Sequence, residues 1–424
     1  MWRWLTTLAL VWPLGAAAQD FFTLKGHGGP IKGIAAFGDA ILTASFDNSV
    51  GFWVDGTPQW LEGHDAAVNV VLFKNRAKAY SAGDDFTVFS WDLQSGAGTK
   101  LGQHKGKVIG MASHADTVAT ASWDGTIGLW RSAPQFLKGH NSAVNAVVFS
   151  DDGSHLYSAA ADGTIRIWDV EGGSETRRLV NQGFGINTLA LNEDMGWIAY
   201  GAVDGVTRLV DLQTGDTLAD FTHERRPILG MALSPDGRLL ATGDGQGYIS
   251  LIDTETKRYV ADFRATLRGP VWALAFSPDG QNLHAGGLDE AMYSWPVETL
   301  GDGEQMVQGE KPFLQGAEAA SNGERQFNRK CSICHSLTAD GGRKAGPTLY
   351  NLFGRGAGAL DDYAYSKTLL TSDIVWTDQT IDALFDLGPD IYIHGSKMPM
   401  QRITKPQDRS DLIEYLKGFT RGEN

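Results

Sequence analysis

The run Cys331-Ser332-Ile333-Cys334-His335 places two thiols three positions apart, with an imidazole directly after the second. Such a C-x-x-C-H run is the attachment signature of a c-type haem. Each thiol can bond one vinyl group of the same porphyrin, and the histidine can face its iron. Cys331 and Cys334 are the only cysteines in the chain, so one covalently attached haem c would use both. A redox dithiol or half of a zinc site are the competing chemistries. A structural zinc takes four strong ligands, and His335 and His394 are a poor supply for that purpose.

An iron held by His335 needs a second axial ligand or keeps an open position. His394, Met398 and Met400 are the downstream candidates, and Gly395-Ser396-Lys397-Met398-Pro399 lies about 60 residues beyond His335 in a stretch marked by Gly and Pro. A thioether there would be a soft ligand that raises the reduction potential relative to two imidazoles. The ordinary role of a methionine is core packing. With both axial positions filled, the iron would exchange electrons instead of binding substrate, which favours an electron carrier over an enzyme.

These groups need elements to hold them. Helical spacing from Gly323 to Lys330 sets Phe327 on one face just ahead of Cys331. Asp411 to Phe419 reads as a closing helix with Leu412, Tyr415 and Leu416 along one side. Helices at both ends predict a small all-α domain over residues 316–424, wrapped around its cofactor.

In their order and spacing these motifs resemble the class I cytochromes c, from about residue 317 to 421. Gly346-Pro347-Thr348-Leu349 is similar to the family loop whose proline carbonyl accepts the hydrogen bond of the proximal histidine. Gly354-Arg355 is similar to its Gly-Arg beside a buried propionate. Tyr365, Ser366 and Trp376 match positions that hydrogen-bond the propionates. Gly323, Phe327 and Tyr415 match the crossing of the first and last helices, and Gly395 to Met398 match the axial-ligand loop. The resemblance implies His335 and Met398 as iron ligands, with Cys331, Cys334, Pro347, Arg355, Tyr365, Ser366 and Trp376 contacting the haem. His394 stands where the family usually has proline, so His394 and Met400 remain alternative ligands to Met398. In the family, lysines such as Lys330 and Lys397 beside the haem edge steer acidic redox partners; plain solubilising charge is the other reading.

The residues before this domain are a repeat. Lys25-Gly26-His27, Glu62-Gly63-His64, Gly102-Gln103-His104 and Lys138-Gly139-His140 recur at about 40 residues. Asp47 and Trp53 are six apart, as are Asp85 and Trp91, Asp124 and Trp130, and Asp162 and Trp168. Asp204 to Val210, Gln246 to Ile252 and Asp289 to Trp295 keep the offset in weaker form, which makes seven copies. A blade-like unit cannot bury both faces alone, so copies must stack around a ring. The Gly-His histidine and the turn aspartate suit a buried polar network within each unit, since buried polar groups need partners.

These copies resemble the WD-repeat family over about residues 21–297. The resemblance implies a seven-bladed β-propeller with four strands per blade; six or eight blades fit the count less well. Phe21-Phe22-Thr23-Leu24 would close the ring by supplying the outer strand of the last blade. Blades five and six lack a Gly-His; His223 stands near that position and Gln246 takes the turn-aspartate place, with Asp244 close by. A weaker hydrogen-bond network is expected there. His114, His155 and His284 are left over and read as surface or packing residues. Phe46 and Trp123 precede turn aspartates, where packing between blades is the first expectation and partner contact the second.

Composition bounds the rest. The 424 residues carry a formal charge of −14, with 52 glycines suited to many tight turns. No basic excess exists to neutralise phosphates, which excludes nucleic acid as a partner. From Gly316 onward 13 Lys plus Arg meet 14 Asp plus Glu, so nearly all the acidity lies in the propeller part. Met1-Trp2-Arg3, the apolar stretch Leu5 to Leu14 and Ala16-Ala17-Ala18 read as a cleaved signal peptide over residues 1–18. That stretch is short of the ~20 residues of a membrane span. The expected plan is a signal peptide (1–18), a propeller (19–297), a linker (298–315) and a cytochrome domain (316–424) in a bacterial periplasm, with no transmembrane segment after cleavage. The propeller would be a docking platform for a redox partner protein such as another cytochrome or a periplasmic oxidoreductase. A haem nitrite-reductase-like oxidoreductase and a haem-based redox sensor or scaffold are the alternatives.

Overall fold

A computed structural model describes residues 21–300 except 223, 226, 267 and 268, and residues 321–420 except 399 and 400. The predicted signal peptide, most of the predicted linker, His223 and Met400 lie outside the described residues.

Seven four-stranded antiparallel sheets make seven blades. The first blade runs through Ile31–Phe37, Ala40–Ser45, Ser49–Val54 and Thr57–Glu62, and each strand pairs with the next in sequence. The seventh has only three strands of its own, and Phe22–Lys25 completes it against Ala291–Pro296, with Phe22 opposite Ser294 and Lys25 opposite Ala291. The N-terminal strand thus closes the ring as expected. Its second strands are buried along all or nearly all of their length, for example Ala40–Ser45 and Asn282–Gly287, because neighbouring blades cover both faces.

The innermost strand of every blade bulges near its start, between Ile31 and Gly33, Val68 and Val70, Val108 and Gly110, and so on to Val271 and Ala273, and blade two has a second shift between Phe73 and Asn75. The skipped residues, such as Lys32, Asn69, Asn145, Asn187 and Trp272, line an axial cavity of about 230 Å³. Asn69, Asn145 and Asn187 donate from Nδ2 to carbonyls of the following blade (Val108, Ile186 and Ile228, at 2.8–3.0 Å). Lys32 lies over the Trp272 ring, 4.2 Å from its centroid. These inter-blade ties gave no periodic signal in the sequence.

The predicted polar network is present in four blades. In blade one, Trp53 Nε1 donates to Thr43 Oγ1 (2.7 Å), Thr43 meets His27 Nε2 (2.7 Å), and His27 Nδ1 meets Asp47 Oδ2 (2.8 Å). Blades two, three and four repeat it with Trp91–Ser81–His64–Asp85, Trp130–Thr120–His104–Asp124 and Trp168–Ser158–His140–Asp162. Burial alone would raise the Asp47 carboxyl, but hydrogen bonds from His27, Ser49 and the Gly28 amide hold it at about 2.

Blade five lacks the network, and Trp197 Nε1 is buried with no partner among the described residues. Blade six corrects the expectation of weakness. Arg225 takes the histidine's part: its Nε donates to Asp244 at 2.7 Å, its Nη1 to Asp262 at 3.0 Å, and its guanidinium sits 4.5 Å from the Tyr248 ring centroid. Asp244, not Gln246, is the turn acceptor, since its Oδ1 takes the amides of Gln246 and Tyr248. Trp123 is 53% exposed and so does not pack between blades, whereas Phe46 lies against Trp272. Leu300, after a 3-10 turn at Val297–Thr299, is buried in the core of blade seven.

Beyond residue 320 the regular elements are helices: α1 Asn322–Lys330, α2 Lys367–Leu370, α3 Asp378–Leu387, α4 Pro389–Tyr392 and α5 Pro406–Thr420. Loops separate them except between α3 and α4, where only Gly388 intervenes, and one isolated bridge joins Gly356 to Val375. The last helix begins at Pro406 and not at Asp411, since proline is well suited to a first helical turn. Helices α1 and α5 cross closely at Gly323, where a Cβ would come within 2.0 Å of the Asp411 carbonyl oxygen. Phe327 and Tyr415 meet there at 5.8 Å, and Leu412 and Leu416 are fully buried. No helix among the described residues is long and apolar enough to cross a membrane.

Candidate haem crevice

Ser321 caps α1 by accepting the Glu324 amide, and the helix ends on Cys331, whose amide donates to Phe327. The chain then turns tightly, with the Cys334 and His335 amides both donating to the Cys331 carbonyl. This turn sets both cysteines and His335 on the wall of one cavity of about 460 Å³. That is within the ordinary range for a cofactor site. Leu352, Leu384, Phe385, Ile393, Leu416 and Met398 line it as well.

His335 Nδ1 lies 2.7 Å from the Pro347 carbonyl oxygen, so this nitrogen is the donor and Nε2 keeps its lone pair. Burial keeps the imidazole neutral by lowering its proton affinity, with Pro347 partly opposing. The Gly346 amide donates to the Cys334 carbonyl at 2.7 Å, and a Cβ on Gly346 would come 2.4 Å from the His335 ring. Only glycine allows the loop this close. Burial also pushes the Cys331 thiol up to about 12, so it is protonated before any bond forms.

Arg355, Tyr365, Ser366 and Trp376 all line the same cavity. Arg355 is fixed by the carbonyls of Thr348 (2.7 Å) and Tyr350 (3.0 Å). Ser366 also accepts the Leu369 amide as the N-cap of α2. The Trp376 amide donates to the Arg355 carbonyl at 2.9 Å. Every predicted site residue therefore comes to one place. His394 does not: it is exposed, because the turn buries Ile393 and its neighbour points outward. Tyr363 was missed; it lines the cavity, donates to the Ala345 carbonyl at 2.6 Å and packs on Tyr365.

The donor set fits a c-type haem. Two thiols, a neutral imidazole with a fixed tautomer and a thioether face an apolar cavity, with a cation and hydroxyls at another edge. Five of the seven described propeller histidines are committed elsewhere: four belong to the polar networks, and His284 bonds Ser294 at 3.0 Å; His155 is exposed beside Ser154, and His114 lies against the Phe149 ring.

The cavity does not end at the domain. Phe46, Asn48, Asp65, Ala67, Asp85 and Phe86 of blades one and two complete its mouth. Around them Arg343 Nε meets Asp47 (3.2 Å), its Nη2 meets Glu62 (2.7 Å) and its guanidinium lies 4.3 Å from the Trp60 ring centroid. Lys344 pairs with Glu290, and Lys397 meets Asp65 at 3.1 Å. The roles of Arg343 and Lys344 carried no sequence signal, since their partners lie far away in the chain.

Comparison with known proteins agrees with both parts. The family model for "Cytochrome c" matches residues 320–420, and that for "WD domain, G-beta repeat" matches 98–131, 132–169, 215–253 and 261–295. Cytochrome c of Theileria parva is 44% identical over 98 residues, spanning 23% of this chain and 84% of that protein. Cytochrome c of Sesamum indicum is 42% identical over 101 residues, 23% of this chain and 88% of that protein. A crystal structure of the WD40 β-propeller domain of Doa1 superposes with a TM-score of 0.60 at 21% identity, over 64% of this chain and 95% of that one. This last likeness speaks to fold alone.

Proposed function

Because residues 320–420 make this chain a member of the cytochrome c family, carried behind a WD-repeat propeller, we propose that it is an exported, periplasmic electron carrier with a single covalently attached haem c. The single observation that carries this reading is the convergence of Cys331, Cys334, His335 and Met398 on one apolar cavity. A haem bound there supplies one-electron exchange at its iron.

The chain's own residues do the rest. Cys331 and Cys334 tether the group, and the Pro347 carbonyl holds His335 with Nε2 free to ligate. Met398 would offer its thioether from the loop after Gly395, which would favour a raised potential. Arg355, Tyr365, Ser366 and Trp376 would receive the propionates, and the leucines and Phe385 would keep water out. The helices α1 to α5 belong to the small all-α domain we propose for residues 316–424. Residues 1–18 are a signal peptide cleaved before Gln19, and 298–315 contain the link from a propeller whose packing runs on to Leu300. The propeller is a docking platform, and the partner is a protein redox centre, another cytochrome or a periplasmic oxidoreductase.

Absorption spectra of the exported protein, oxidised and reduced, with haem and mass measured per chain, test this. One haem per chain, a Met-to-iron charge-transfer band lost in Met398→Ala, and a mature N-terminus at Gln19 are expected. A second chromophore, or a high-spin iron that binds small ligands, would replace the carrier reading with a catalytic one.

A further inference from the structure

Resting on the assignment of the crevice as the haem site, we propose that the acidic face of blades one, two and seven is the resident docking partner of the crevice mouth. While it is docked, other proteins are kept from the haem edge; an acidic partner gains access by displacing it. Three cations of the crevice rim, Arg343, Lys344 and Lys397, each meet a propeller carboxylate: Asp47 and Glu62, Glu290, and Asp65. The backbones also touch. A Cβ on Gly28 would fall 1.3 Å from the Arg343 carbonyl oxygen, so no side chain fits between the two domains there.

The propeller supplies one side of the mouth. The cavity runs without a break from Lys330, Cys334, Ser396 and Met398 to Phe46, Asp65, Ala67 and Phe86. The edge flanked by Cys334 and Met398 therefore opens onto blades one and two.

The contact is also built to come apart. Its side-chain ties are ion pairs and the stacking of Arg343 on Trp60; Asp47 is buried, but two of the pairs are on strongly exposed carboxylates, Glu62 and Asp65. Exposed pairs contribute little and are screened by salt, and interfaces between domains of one chain resemble transient ones. An acidic protein surface competes for the same Lys344 and Lys397, so the partner class is an acidic redox protein. The propeller occupies that position in its absence.

The full haem-loaded chain is compared with Lys344→Glu and with the charge-swapped Lys344→Glu/Glu290→Lys. In the wild type at low salt, amides of residues 64–67 and 84–86 should exchange slowly and Lys397 should resist acetylation. Lys344→Glu, or salt raised from about 0.01 M to about 1 M, should speed both by about fivefold, the upper range for surface pairs. The charge swap should restore protection, which a misfolded protein would not do. A small cobalt complex should oxidise all three reduced proteins alike, while the same complex grafted to dextran should react slowly with the wild type and the charge swap, and faster with Lys344→Glu. The proposal is overturned if salt and Lys344→Glu leave exchange and acetylation unchanged, or if the grafted oxidant reacts with the wild type as fast as the free one. Exchange and acetylation need no haem, so a failure to find haem is distinguishable from a failure of docking.

Discussion

Arg343 and His27 share one acceptor: Asp47 Oδ2 takes the histidine Nδ1 at 2.8 Å and the arginine Nε at 3.2 Å. The carboxylate that orders blade one from within is the same one that receives the cytochrome domain from outside. Docking and blade packing are therefore coupled through a single buried group.

Replacing Asp47 by Asn should destabilise the propeller by about 2 kcal/mol, from a carboxyl held at about 2 against an ordinary 3.8. A depressed carboxylate contributes in full above its unfolded value and loses that contribution as pH falls through about 2. Urea unfolding followed by tryptophan fluorescence should show the difference at pH 7 and its near disappearance at pH 2.

Trp130→Phe should cost about 1–2 kcal/mol more than Trp197→Phe. Both lose similar bulk, but the first also leaves Thr120 without the indole donor that reaches it at 2.7 Å. The indole nitrogen of Trp197 has no partner among the described residues to lose. Paired denaturation curves decide it, and equal losses would show that the indole bond adds nothing in blade three.

Burial lowers His284 to about 4, only partly opposed by Asp279, so it stays neutral in the fold and becomes charged on unfolding. Stability should be full above an unfolded value of 6.5 and fall as pH drops towards 4, by about 3 kcal/mol in all. His284→Asn should flatten that part of the Tm-against-pH curve for the propeller transition.

Gly346→Ala should push its new methyl against the His335 ring, which lies 2.4 Å from the required Cβ position. Overpacking of this kind costs about 1–3 kcal/mol. The haem domain should melt earlier and its Met-to-iron band should weaken, while the propeller transition stays in place. An unchanged spectrum would mean that the loop yields without turning the imidazole.

Most of the ring was legible because the aspartate-to-tryptophan offset repeats, and repeated geometry leaves repeated residues. The crevice was legible because Cys331 to His335 and the loops at Pro347 and Met398 are local motifs. What escaped was either non-periodic or distant. Arg225 replaces a histidine with different chemistry at the same place, so pattern matching looked instead to His223. The bulged residues from Lys32 to Trp272 share a backbone position but not a side-chain type. Arg343 and Lys344 find carboxylates in blades one and seven, and nothing local foretells such contacts. Trp123 followed Phe46 in sequence position but not in burial, because Phe46 has Trp272 beside it.

The strand Phe22–Lys25, paired with Ala291–Pro296, has a consequence for how the chain is made. Its partner is synthesised about 270 residues later, so ring closure is the last step in folding the propeller and closes a very long loop. Contacts of such high sequence separation fold slowly. Until then the seventh sheet has an unpaired edge, a template for association with other chains. A chain stopped before residue 291 would carry Phe22–Lys25 with nothing to receive it, whereas one stopped just after Leu300 holds both halves of the clasp. The order of the two domains thus allows the ring to be clasped before the cytochrome segment is complete.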